Sequence, residues 1–239
     1  MRVFAAFLAA LVLCVPSFAD EVDDALKGLE KAIKEKSRVD MVHFVQTLGD
    51  KYGAATAPQK KEIVKLTEKV LNVAKEQEPK DAAVEALSKM DAGALATLTK
   101  EFEKKTTEEN ATFQSNLVLA MGKLKDEKVG LPYLRKLLKH KSIDVVASAG
   151  EALSNYKEVA LPLRKEIAND ILGIWGGLAS AARKPTDTSS KKKLERLDGP
   201  MGQSLKILTN ADPKPANNEQ LAVAWQKWWN DSGKKADKW

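Results

Sequence analysis

Apolar residues recur every three or four positions along most of the chain after residue 20, which is the periodicity of amphipathic α-helices. In the first such segment, EVDDALKGLEKAIKEKS, Val22, Leu26, Leu29 and Ile33 share one helical face. The same spacing continues through RVDMVHFVQTLGDKYG and APQKKEIVKLTEKVLNVAKEQ. We find no sustained strand-like alternation and no Asn-Gly or Asp-Gly turn between apolar runs. The sequence therefore predicts an all-α protein.

One stretch of the sequence recurs in the same helical context. EALSNYKEVALP at 151–162 matches EALSKMDAGALA at 85–96 in six positions. A weaker copy, LAMGKLKDEKVGLPYLRKLL at 119–138, lies between them, so the unit returns about every 30–36 residues. Each copy covers the predicted end of one helix, a polar turn and the start of the next. Such units predict an α-solenoid of antiparallel helix pairs that share one core. An ordinary four-helix bundle is the alternative.

The clearest copy, KSIDVVASAGEALSNYKEVALPLRKEI, resembles a HEAT repeat of the short form common in exported bacterial proteins. The first helix opens with Asp144 and Val145, and Val146 stands where the family commonly has Arg. Its packing face carries Ala147, Ala149, Ala152 and Leu153. After a polar turn, Leu161 and Pro162 open the second helix, and Ile167 closes its apolar stripe.

The resemblance is good over residues 113–170, fair over 79–105 and faint over 21–77. It implies that small residues let the two helices of a pair approach closely, while Leu and Val fill the gap to the next pair. It also implies a curved inner face lined by the second helix of each pair.

The segments on either side of the repeats differ from them, so four parts are expected. Residues 1–19 form a signal peptide, and 20–182 form the repeat domain. Residues 183–193 have the Pro, Ser, Thr and Lys content of a linker or long loop. Residues 194–239 return to helical periodicity, with LDGP expected to separate two helices. Within this segment, LKILTNAD followed by AWQKWW is similar to the closing segment of some exported HEAT-repeat proteins, with Asn210 in place of their Gly.

Tryptophan is concentrated at the end of the chain. Trp225, Trp228 and Trp229 follow Leu221 at helical spacing, and Trp239 lies beyond them. One interpretation is that this stripe caps the apolar end of the last repeat. The other is an aromatic platform for glycan, peptide or a membrane interface, with lysines nearby. Trp239 is expected to be the most exposed of the four.

The first twenty residues, MRVFAAFLAALVLCVPSFAD, have the features of a secretory signal peptide. Arg2 precedes an apolar run, and small residues precede a predicted cleavage site after Ala19. A lipoprotein signal at Cys14 is the alternative, although Leu13 stands where lipidation needs a small residue. We therefore predict a secreted or periplasmic protein without a transmembrane span in the mature chain. Cys14 is the single cysteine, so the mature chain would form no disulfide.

Charge and motifs argue against catalysis and against nucleic-acid binding. The chain has 39 basic and 33 acidic residues, and the excess is spread along it rather than gathered in a patch. His43 and His140 lack acidic neighbours at metal-ligand spacing, and no nucleophile or phosphate-loop motif is present. His140 ends a predicted helix, where its charge would suit the dipole. Glu101 and Glu103 are expected to be solvated. No catalytic, cofactor-binding or metal-binding residue is predicted.

Basic residues gather on the predicted second helices, 92–105, 129–140 and 159–172. They are Lys100, Lys104, Arg135, Lys136, Lys139, Arg164 and Lys165. A row of cations could bind an acidic peptide or an anionic envelope polymer, and scattered solvated charge is the alternative. We therefore expect an exported, non-catalytic interaction module or scaffold whose partner is a protein or an acidic envelope component. The alternative is an envelope-binding protein that uses the Trp/Lys C-terminal segment on glycan or a membrane surface.

Overall fold

The computed structural model of the chain describes residues 18–184, 186–216 and 220–239. Regular secondary structure in these ranges is entirely helical, so the all-α prediction is confirmed. The predicted signal peptide falls outside them, except for Phe18 and Ala19 at the start of the first helix. The α-helices of the described residues are α1 (Phe18–Glu35), α2 (Arg38–Lys51), α3 (Ala57–Val73), α4 (Gln77–Ser88), α5 (Leu95–Phe102), α6 (Lys105–Glu108), α7 (Ala111–Lys123), α8 (Gly130–Leu137), α9 (Ile143–Leu153), α10 (Leu161–Ala182), α11 (Thr188–Thr209) and α12 (Leu221–Asp231).

The helical faces read from the sequence point into the core. Val22, Leu29 and Ile33 of α1 are buried, and Leu26 packs against the same core. The predicted stripe of α3 is buried except for Val73 at its last position, which is exposed. Burial of these faces is the main stabilising contribution, since each fully buried aliphatic side chain contributes about 1.5–3 kcal/mol.

The helices pack in a regular order. In one series, each helix packs against the next: α2 on α4, α4 on α7, α7 on α9 and α9 on α11. The remaining main helices pack beside this series, with α1 on α2, α3 on α4, α5 on α7, α8 on α9 and α10 on α11. The final helix, α12, packs on α10 and α11. Most helices thus pack on helices close to them in the sequence, although α9 and α10, which follow one another directly, make little contact.

The recurring stretch has the same local structure in each copy. In the first, α4 ends at Ser88 and α5 begins at Leu95. In the third, α9 ends at Leu153 and α10 begins at Leu161. The middle copy likewise spans the end of α7 and the start of α8. Each copy thus marks a helix end, a turn and a helix start, as the sequence predicts.

Small residues lie at a different interface from the expected one. A Cβ added at Gly122 of α7 would stand 2.6 Å from the Cβ of Ala152 on α9. Likewise, a Cβ at Gly49 of α2 would stand 2.9 Å from the Cα of Ala86 on α4. With α5, α8 and α10 as the predicted second helices, α4, α7 and α9 are the first helices of their predicted pairs, and α2 is the first helix of the pair before them. The close approach at these positions therefore lies between successive predicted pairs rather than within one. The reason is that α2, α4, α7 and α9 pack directly on one another.

Polar contacts also join successive pairs, at sequence separations close to the repeat length. The Tyr133 hydroxyl of α8 donates to the Glu103 carboxylate, 3.1 Å away at the end of α5. In the other series, Lys89 after α4 pairs with Asp50 of α2 at 2.8 Å. Such exposed contacts contribute little stability individually, about 0–1 kcal/mol for an ion pair. We call them inter-pair contacts below.

The C-terminal segment continues the packing with one long helix rather than two. α11 already begins at Thr188, so the second half of the predicted linker 183–193 is helical. The expected break at LDGP is also wrong, because Pro200 lies inside α11. Packing of α11 on both α9 and α10 outweighs the unfavourable proline. α11 ends at Thr209, and Asn210 caps it in the left-handed conformation, with φ of 54°, which Asn tolerates better than most residues other than Gly.

Candidate functional site

The seven basic residues predicted to form a partner surface lie on or next to α5, α8 and α10, which pack beside the series α2, α4, α7, α9 and α11. Lys100 is on α5, and Lys104 follows that helix. Arg135 and Lys136 are on α8, Lys139 follows it, and Arg164 and Lys165 are in the first turns of α10. The structure thus places these residues on the predicted second helices, but it gives them different surroundings.

Lys100 and Lys104 are held by the preceding pair. The Lys100 ammonium lies 2.6 Å from the Glu68 carboxylate of α3, and this hydrogen bond raises the pKa of the lysine. Lys104 donates to the Asn72 side-chain oxygen at 2.7 Å and pairs with Glu101 at 2.5 Å. The Lys100–Glu68 and Lys104–Asn72 contacts are inter-pair contacts between α3 and the α5 region. Their positive charges are therefore largely matched within the protein.

Glu101 is not the solvated charge that the sequence suggested. It is 5% exposed and lies in the core side of α5. The Lys104 ammonium and the Thr107 hydroxyl, which is 3.3 Å away, satisfy its two carboxylate oxygens. A buried carboxylate is tolerated only with such partners, so this group has a structural role at the turn between α5 and α6.

Arg135, Arg164 and Lys165 are also engaged. Arg135 pairs with Asp170 at 2.5 Å and with Glu166 at 2.9 Å on α10, and its pKa is raised chiefly by the hydrogen bond to Asp170. The Arg164 guanidinium lies 5.9 Å from the centre of the Trp239 ring and donates to a backbone carbonyl of α11. Lys165 donates to a carbonyl of the C-terminal 3₁₀ turn, 3.1 Å away. These three residues make contacts between segments of this chain, so they are not free to bind a partner.

Lys136 and Lys139 are different, because neither forms an ion pair with any residue that the structure describes. Both are exposed and line a cavity of about 500 Å³ between the end of α8 and the middle of α10. A second cavity of about 390 Å³ adjoins it, sharing Leu138, Lys139, Gly173 and Ile174. The second cavity also reaches Lys193 of α11, a residue that the sequence interpretation did not single out.

Glycine residues form the floor where these cavities meet. Gly173 and Gly177 of α10 are exposed, and a Cβ added to either would meet no described atom within 4 Å beyond its own helix. A third cavity, of about 290 Å³, lies on the other side of the same glycines, against Val223 and Gln226 of α12. We call the three cavities together the α10 groove. Its apolar lining includes Leu138, Ile143, Val146, Ile174, Leu178 and Val223.

The α10 groove is positively charged. Among the described residues, its lining holds the basic residues Arg135, Lys136, Lys139, Lys141, Arg183 and Lys193. The same lining contains a single carboxylate, Asp170, which Arg135 already binds. Lys141 pairs with Glu108 at the rim. The sequence predicted cations in this region but not the groove, because the glycines of GIWGGLAS gave no functional signal on their own.

The tryptophan stripe is largely buried. Trp225 is 1% exposed and Trp229 is 7% exposed. Trp228 and Trp239 are half-buried, with ring centres 6.3 Å apart, and the indole N–H of Trp239 donates to a backbone carbonyl. Trp239 is more exposed than Trp225 and Trp229, but it is half-buried because the chain turns back after α12. This burial fits a cap and leaves little aromatic surface for a platform.

His140 has a different role from the predicted cation at a helix end. Its Nδ1 accepts a hydrogen bond from the Ser142 backbone N–H, 3.2 Å away, at the start of α9. Burial, aided by the charge of Lys141, lowers the pKa of His140 below its usual value, so the ring is neutral at pH 7. His43 is exposed beside Phe44. Neither histidine lies in a group of three possible metal ligands anywhere in the described ranges.

Within the residues that the structure covers, no helix combines the length and apolar character needed to cross a membrane. The chain matches no protein-family model, no curated protein and no solved structure.

Proposed function

We propose that this chain is an exported, non-catalytic interaction module built as an α-solenoid of HEAT-like repeats. The regular packing order of the helices supports the solenoid, since each pair contacts the next in the same way. Inter-pair contacts at separations near the repeat length support it further. Export rests on the signal-like pattern of residues 1–19.

The observation that carries the binding function is the α10 groove. A concave surface with an apolar floor and basic rim is a common form of ligand site. Unpaired lysines at its edge create a positive potential that would attract an acidic partner and increase its rate of association. Among the residues that the structure describes, the one carboxylate of the groove lining, Asp170, is bound by Arg135, which favours binding over proton-transfer catalysis.

The tryptophan helix supports this function indirectly. By covering the end of α10 and α11, α12 supplies the closing layer that a stack of repeats needs. It also forms one wall of the α10 groove through Val223 and Gln226. We therefore assign α12 a capping role rather than glycan or membrane binding.

The proposed function is tested by isolating partners with residues 20–239. The purified chain is immobilised, incubated with an envelope fraction of its source, and eluted with salt. We expect a protein or acidic polymer that elutes as salt rises, because screening weakens exposed charge pairs. The complex should then re-form from purified components in size-exclusion chromatography. If no component re-forms a complex, the proposed interaction function is wrong.

A further inference from the structure

We propose that the α10 groove binds an acidic amphipathic helix of a partner protein, with the partner's backbone close to Gly173 and Gly177. This inference rests on the proposed interaction function and specifies its ligand. It begins from the unusual position of the glycines. Gly173, Gly176 and Gly177 lie in the middle of a 22-residue helix, where glycine is less favourable than alanine.

Several other helical glycines of this protein have evident neighbours, whereas Gly199 of α11, like Gly173 and Gly177, meets no atom within 4 Å but lines none of the three cavities. Gly122 and Gly49 face small residues of an adjacent helix at distances that leave no room for a Cβ. Gly176 is partly explained in the same way, since a Cβ there would lie 3.2 Å from the Gln226 side-chain oxygen. Gly173 and Gly177 lie further from the end of their helix, where glycine is less favourable, and they face open space. A partner helix bound in the groove could pack its backbone closely against these two glycines, in the way that α9 packs against Gly122.

The groove has the dimensions and lining for such a helix. From Asn169 to Ser180, the open face of α10 extends for about 16 Å, which matches about three turns of a partner helix. Ile174 and Leu178 offer apolar contact beside the glycines. Glycine on one side allows two helix axes to come closer than larger side chains would permit.

Charge selects an acidic partner over a basic or neutral one. Lys136 and Lys139 line the α8 side of the groove, and Lys193 lies at its far end. Since none of the three forms an ion pair among the described residues, each is available for a carboxylate of the partner. A partner helix could place a stripe of apolar residues against the apolar lining of the groove and place Glu or Asp beside that stripe, next to the lysines.

The direct test uses a fluorescently labelled synthetic helix as the probe. The peptide has about twelve residues, which is about three turns, with Leu on one face and Glu elsewhere. We expect saturable binding to residues 20–239 by fluorescence anisotropy. Binding should be at least about tenfold weaker for the same peptide with Lys in place of Glu, and for an all-Glu peptide without Leu.

Variants of the groove separate this proposal from general charge attraction. Gly173→Ala with Gly177→Ala should raise the unfolding temperature while weakening peptide binding at least about tenfold, because alanine favours the helix but fills the floor. Gly53→Ala is the matched control, since a Cβ there also meets no atom within 4 Å but lies far along the chain. It should leave binding unchanged.

Lys136→Gln with Lys139→Gln should also weaken binding, whereas Lys69→Gln with Lys75→Gln, at exposed positions in and after α3, should not. The proposal is overturned if the glycine double variant binds the peptide as tightly as the original chain. It is also overturned if the peptide does not bind. Phosphatidylglycerol vesicles and polyphosphate are tested in parallel, and binding of either one without binding of the peptide would assign the groove to an anionic surface or polymer instead. A partner recovered from the envelope that binds the glycine and lysine variants equally well would leave the interaction function standing and refute this site.

Discussion

Replacing Gly122 with alanine should destabilise the protein, although alanine is normally the better helix residue. The added Cβ would stand 2.6 Å from the Ala152 Cβ and 2.8 Å from both its Cα and its carbonyl oxygen. Favourable carbon–carbon contacts need about 3.5–4.0 Å, so α7 and α9 would have to separate by about 1 Å. Because backbone atoms are involved, no side-chain rotation can relieve the contact.

The magnitude follows from two opposing effects. Overpacking of a well-packed interface costs about 1–3 kcal/mol, and contact with backbone favours the upper value. Alanine returns at most about 1 kcal/mol through helix propensity, since Gly122 lies in the last turn of α7. We therefore expect a net loss of about 2 kcal/mol, or a fall in melting temperature of about 4–8 °C for a chain of this size.

The assay is urea unfolding followed by circular dichroism at 222 nm (a wavelength that reports α-helix), with Gly177→Ala as the comparison. Gly177 lies inside the 22-residue α10 and faces open space, so the same substitution should stabilise by about 0.5–1 kcal/mol. The two variants should thus move the midpoint in opposite directions. If Gly122→Ala is as stable as Gly177→Ala, the close packing between successive pairs described above is wrong.

Two further predictions concern single groups. Burial lowers the pKa of His140, so the neutral ring is favoured in the folded state; stability is fully present above about pH 6.5 and falls as the pH drops below it. His140→Gln should reduce the change of the urea midpoint between about pH 7 and pH 5. An unchanged pH dependence of the midpoint would refute this contribution of His140 to stability. Trp225 and Trp229 are buried, so acrylamide should quench the fluorescence of the folded chain weakly and that of the urea-unfolded chain strongly. Equal quenching in both states would contradict the assignment of α12 as a cap.

The helices could be predicted because their information is local. The spacing of Val22, Leu29 and Ile33 records which face is buried, and that face is buried in the structure. The recurring stretch likewise records where helices end and begin. Pro200 could not be assigned in this way, because local preference predicts a break and only packing against α9 and α10 keeps the helix continuous.

The candidate site was only partly predictable, for a different reason. Sequence identifies the charge of Lys100 and Lys136 equally well, but not which of them meets a carboxylate across the interface. Glu68 stands 32 residues before Lys100, and only the packing of α3 beside α5 brings them together. Glycine has the same ambiguity: Gly122 and Gly177 are alike in sequence, yet one is enclosed and the other faces a groove.

In the proposed solenoid, the inter-pair contacts also bear on how similar units avoid assembling in the wrong order. Interchangeable packing residues would allow one pair to associate with a non-adjacent pair during folding. The polar contacts differ from place to place: a lysine meets Glu68, a tyrosine meets Glu103 and an arginine meets Asp170. A mismatched arrangement would leave several of these groups without their counterparts. Contacts that add little to equilibrium stability can therefore still make the correct order of units more favourable than a mismatched order while the protein folds.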